Sequence, residues 1–140
     1  MMMAPTSRDP LQPLFEALGR LRAAWPSGGW SHDSRLSCVA STFTTDVLQK
    51  ARAAAAEALP IEWTERSLAT APGAVRELAK RHDGIRAGQM LLASAPIGHI
   101  VAYGLWWPWG DNRTISLRVG IEGASVDPTM RLCEVFRVEM

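Results

Sequence analysis

The spacing of apolar side chains changes from about 3.6 residues to 2 at Gln89, and that change limits what the chain can build. Residues 113–121 alternate cleanly. Ile115, Leu117, Val119 and Ile121 fall on one side, and Thr114, Ser116 and Arg118 fall on the other, the pattern of a half-exposed antiparallel strand. Residues 89–95 and 99–107 read as two further strands joined by Pro96-Ile97-Gly98. The second of these is apolar on both sides and is expected at the centre of a sheet. Pro108-Trp109-Gly110-Asp111-Asn112 supplies turn chemistry after it. After a loop at 123–128, residues 132–138 read as a last strand with Phe136 and Val138 on one face.

Ahead of the switch the spacing is helical. Asp9-Pro10 offers a side-chain acceptor at a cap and a proline just inside a helix. Leu11, Leu14, Phe15, Leu18, Leu21 and Trp25 then share a face until Pro26. Residues 35–43, with Leu36, Cys38, Val39 and Phe43, suit a strand. Thr44-Thr45-Asp46 opens a helix over 46–59, rich in alanine and closed by Pro60. Residues 61–71 give no clear pattern. Pro72 starts a third helix, with Val75, Leu78, Ala79 and His82 on one face and Gly84 where a left-handed cap belongs. The expected order is α-β-α-α-β-β-β-β. This implies one α+β domain over 10–140 behind a flexible tail at 1–9, with helices packed on one face of a four- to five-stranded antiparallel meander.

Composition narrows the function classes. The chain has 140 residues, the scale of one domain of about 100–200. Its net charge of +1 gives no electrostatic case for nucleic acid or an anionic membrane. Lys50 and Lys80 are the only lysines beside many arginines, a bias that GC-rich coding explains without invoking function. Two cysteines, Cys38 and Cys133, lie in apolar runs and form no disulfide framework or CxxC pair. No basic-then-apolar leader opens the sequence, and its apolar runs are broken well short of a membrane span. The expected compartment is the cytoplasm.

No catalytic, metal or cofactor signature is present. His32-Asp33 and His82-Asp83 are adjacent pairs, whose side chains diverge on a helix. His82 at a helix end suits the negative pole of the dipole. His99, at the start of the expected central strand, has no sequence-local carboxylate to make it a general base. The three His and two Cys lack the paired spacings of a zinc site, and no glycine-rich phosphate loop occurs.

The most unusual feature is aromatic. Tyr103, Trp106, Trp107 and Trp109 crowd seven positions, with Arg113 and Arg118 beyond. Consecutive residues of a strand point to opposite faces, so Trp106 and Trp107 cannot share one cover of helices. One needs another cover: the segment carrying Trp25 and Trp30, a ligand, or a second protein. Trp, Tyr and Arg are the residues that dominate protein interfaces. The expectation is a non-catalytic interaction or regulatory module, self-associating or binding a cytosolic protein, with Tyr103, Trp106, Trp107, Trp109, Arg113 and Arg118 as binding residues. The alternative is a small-ligand domain or small enzyme with an apolar pocket at His99 and Tyr103, which share a strand face with Val101 between them.

Overall fold

The computed structural model describes residues 9–27 and 29–139. The tail expected at 1–9 therefore lies, apart from Asp9, outside the described residues. Ten elements follow one another: α1 (Gln12–Ala24), β1 (Trp30–Asp33), β2 (Cys38–Thr44), α2 (Leu48–Ala58), β3 (Ile61–Trp63), α3 (Gly73–Arg81), β4 (Met90–Ala93), β5 (Val101–Pro108), β6 (Thr114–Glu122) and α4 (Thr129–Phe136). The six strands form one antiparallel sheet in the order β1-β2-β6-β5-β4-β3. The class is α+β, as the change of period indicates.

Four details differ from the sequence reading. The sheet has six strands rather than four to five. The two extra ones, β1 and β3, are four and three residues long, and segments that short carry no readable alternation. His99 stands exposed in the tight turn between Ile97 and Ile100, just ahead of β5 rather than in it. Residues 132–138 are not a strand. They belong mostly to α4, which buries Thr129, Leu132, Cys133 and Phe136 at helical spacing. Its start repeats the one at α1. Asp127 Oδ1 accepts the Thr129 N–H at 2.9 Å, as Asp9 Oδ1 accepts that of Leu11 at 3.0 Å.

Finally, the helices occupy both faces of the sheet. On the first face, α1, α2 and α4 cover Val39 and Phe43 of β2, Ile115, Leu117 and Val119 of β6, and Ala102 and Trp106 of β5. Alanines 51, 54, 55 and 58 of α2 are buried there, so small side chains let this helix approach closely. Gly104 matches them on β5: a methyl group at this position would come within 2.9 Å of Leu59 Cδ1. An aromatic chain crosses this core from Phe136 to Trp30, Trp25, Phe43 and Trp106, with ring centroids 4.4–5.2 Å apart. Within it Trp25 Nε1 donates to Ser41 Oγ at 2.9 Å, whereas Trp30 Nε1 is buried with no hydrogen-bond partner among the described residues. Leu18, Leu117 and Leu132 are wholly buried, and each such side chain contributes about 1.5–3 kcal/mol by leaving water.

The second face carries only α3. Val75, Leu78 and Ala79 pack on Leu91, Ala93, Val101, Tyr103 and Leu105 of β4 and β5, with Trp63 of β3 at the margin. The helix ends as its sequence indicates: Gly84, at φ +81°, returns its N–H to the Ala79 carbonyl at 2.7 Å, and Ile85 folds back on this core.

Candidate interaction surface

One helix cannot cover six strands, and among the described residues no helix packs on the β6-β2-β1 half of the second face. Register fixes what lies there. Tyr103 pairs with Gly120, Leu105 with Arg118 and Trp107 with Ser116 across β5 and β6. Arg118 in turn faces Ala40, and Ser116 faces Thr42 on β2. Ala40 pairs with Ser31, and Cys38 with Asp33, on β1. The floor is thus built mostly of small side chains, with Trp107 and Arg118 standing on it.

These two touch. The Arg118 guanidinium carbon lies 5.4 Å from the Trp107 ring centroid, within cation–π range. Asp33 holds the arginine from the other side. Its Oδ1 accepts the N–H groups of Arg35 and Leu36 at 3.1 and 3.3 Å, which fixes the β1–β2 turn, and its Oδ2 lies 3.6 Å from Arg118 Nε. That distance is an ion pair but too long for a good hydrogen bond. Accordingly, Arg118 Nε is buried without a hydrogen-bond partner, and so is Trp107 Nε1. A buried N–H without an acceptor costs about 1–3 kcal/mol. This half of the sheet is therefore short of acceptors.

His82 closes α3 beside the same surface, 5.9 Å from the Tyr103 ring and 6.5 Å from that of Trp107. The sequence suggests a protonated imidazole at the helix dipole's negative end. The surroundings act in the opposite direction. Burial, then the charges of Arg81 and Arg118, push its pKa down and favour the neutral ring, against a smaller opposing effect of Asp83. Tyr103 is 3% exposed, and burial pushes its phenol pKa up. Its ring lies flat over Gly120, where an added methyl carbon would sit 2.5 Å from the hydroxyl oxygen. Burial also raises the Cys38 thiol to about 12, so this cysteine is no nucleophile at neutral pH.

Of the residues singled out in the sequence, Tyr103, Trp107 and Arg118 meet on the second face. Trp106 lies on the first face at 3% exposure, reached by the Trp25–Phe43 stack. Trp109 is 55% exposed at the β5–β6 turn, and Arg113 is exposed at the same tip. Asp111 holds this tip by accepting the N–H groups of Arg113 and Thr114 at 2.9 and 2.8 Å and the Thr114 hydroxyl at 2.6 Å. These bonds lower its pKa to about 2.

His99 and Tyr103 do not share a cavity. His99 borders an apolar depression of about 90 Å³ with Trp63, Val75 and Val101, whereas Tyr103 borders a different one with Arg35, Arg81 and His82. Sequence reasoning missed Asp33 and His82 as members of the surface, because only the sheet register and the end of α3 bring them there. Among the described residues no cluster of three His, Cys, Asp or Glu stands ready for a metal ion, and no helix is long and apolar enough to cross a membrane. In comparison with known proteins, no family model, no curated protein and no solved structure matches this chain.

Proposed function

We propose that this chain is a non-catalytic, cytosolic protein-interaction module that self-associates through the open half of its second sheet face. One observation supports this most: Trp107 and Arg118 stand side by side on a sheet surface that no described helix covers, next to the exposed Ser31 and Thr42. A second protein surface would supply the missing cover. Trp and Arg are also the side chains that carry the most energy in such contacts.

Two features favour the face over the edges and a second copy over an unrelated chain. The edge strands β1 and β3 have only four and three residues, which leaves little backbone for edge-to-edge pairing. The face is balanced in charge, with Arg118 beside Asp33 and Arg81 paired to Glu122. Two copies related by a two-fold axis therefore meet without net repulsion and can exchange partners across the contact. The alternative of a ligand pocket at His99 has less support, because about 90 Å³ falls short of the roughly 300–1,000 Å³ typical of ligand sites.

Sedimentation velocity of the wild type, Trp107→Ala and Thr42→Arg tests the reading. Thr42 is exposed on the open floor, so a long cation there blocks a face-to-face contact without touching the core. The expected result is a wild-type dimer, weakened by Trp107→Ala and abolished by Thr42→Arg. A wild type that stays monomeric at every concentration tested overturns self-association.

A further inference from the structure

Where the second face meets the end of the molecule, a groove of about 350 Å³ runs between the β1–β2 turn, the end of α3 and the end of β6. Its polar groups are unequally matched. Arg35 and Arg81 line it from the cationic side beside the neutral His82 ring, and Glu122 is the only carboxylate in the lining. Glu122 is engaged by Arg81 in an ion pair. Arg35 forms no ion pair among the described residues. Asp33, the nearest carboxylate in sequence to Arg35, is occupied by the turn N–H groups and by Arg118.

The base of the groove gives an independent sign. Tyr103 is 97% buried by its 3% exposure, yet its hydroxyl borders the groove and makes no hydrogen bond to another described residue. Gly120 is what allows this: any larger residue would push the ring off its seat. Leu36, Ile121 and Pro128 give the remaining wall an apolar character. The site thus combines donors without an acceptor and an apolar flank, the mixture found in pockets that orient small organic ligands.

We propose that this groove binds the carboxylate of a small organic acid, with Arg35 and the Tyr103 hydroxyl as donors to the carboxylate and Leu36, Ile121 and Pro128 against its hydrocarbon body. A singly charged head fits better than a phosphate dianion, because Glu122 stands in the same wall and repels each added negative charge. The geometry of a guanidinium suits a carboxylate in particular, offering two parallel N–H groups to its two oxygens.

Isothermal titration with hexanoate, hexanol and inorganic phosphate tests the site, using the wild type, Arg35→Gln and Tyr103→Phe. Arg35 is exposed, so its substitution leaves the core untouched. Tyr103→Phe removes one oxygen and keeps the ring on Gly120. The expected result is saturable binding of hexanoate alone, weakened roughly tenfold by Arg35→Gln and several-fold by Tyr103→Phe. Absence of saturation with hexanoate overturns the proposal. So does equal binding by the variants, or binding of hexanol or phosphate as tight as that of hexanoate. The groove does not depend on self-association. Sedimentation of Arg35→Gln is expected to match the wild type, so a failed titration and a failed dimer are separate results.

Discussion

The two faces of the sheet solve the same problem with different means. The first has three helices and an unbroken run of stacked rings, with one indole satisfied and Trp30 Nε1 and His32 Nε2 buried without partners among the described residues. The second has one helix, with Trp63 Nε1, Trp107 Nε1 and Arg118 Nε in the same state. Stability therefore resides mainly on the first face, and the residues of the second are free to be selected for something other than packing.

This contrast is broken most severely at β6, whose side chains alternate between the two faces. Leu117→Ala, on the first face, is expected to cost about 2–5 kcal/mol in denaturant unfolding. Thr42→Ala, on the open floor of the neighbouring strand, is expected to cost less than about 1 kcal/mol. Comparable losses at the two positions would mean that the second face is not the weaker half.

The next largest effect sharpens the account of Tyr103. Gly120→Ala is expected to destabilise by about 1–3 kcal/mol, because the ring over it has to shift. In a Tyr103→Ala background the same substitution is expected to cost little more, so the double-mutant cycle shows strong coupling. Additive effects would show that the ring does not rest on Gly120.

Ser41→Ala tests what the one satisfied indole of the first face contributes. It strands Trp25 Nε1 in the core, and the expected loss is about 1–3 kcal/mol. The smallest effect concerns His82 on the other face. Its pKa in the folded chain lies below its ordinary value near 6.5, so the unfolded chain binds the proton more readily. Its contribution is then fully present above pH 6.5 and is lost as pH falls through that value toward the folded pKa. Melting temperatures of wild type and His82→Gln are expected to diverge at neutral pH and converge on acidification below 6.5. A parallel acid profile for both removes His82 from the account.

How far the sequence carried this picture is clearest where one signal occurs twice. Asp9-Pro10 and Asp127-Pro128 are the same dipeptide ahead of a helix, and each aspartate accepts the N–H two residues on in the turn that leads into it. Only the first is legible, because thirteen residues of apolar stripe follow it. After the second come eight, and in a stretch that short Leu132, Phe136 and Val138 also fall on one side of a strand. The helix also stops at Arg137 in a left-handed conformation, φ +55°, without the glycine that ordinarily marks such an end. The parting of Trp106 and Trp107 to opposite faces follows from strand geometry alone and needs no tertiary knowledge. The seating of Tyr103 on Gly120 and the approach of Asp33 to Arg118 depend on register between distant strands, which local spacing does not encode.

The last helix also touches the first at its very start. Arg131 of α4 pairs with Asp9, donates to Gln12 Oε1 at 2.7 Å and lies over the Phe15 ring at 4.2 Å. More than a hundred residues separate these partners in the chain. During synthesis α1 emerges early and stays without this clamp until α4 has cleared the ribosome, long after its apolar stripe is exposed. The three-helix layer is thus completed last, when α4 joins α1 and α2.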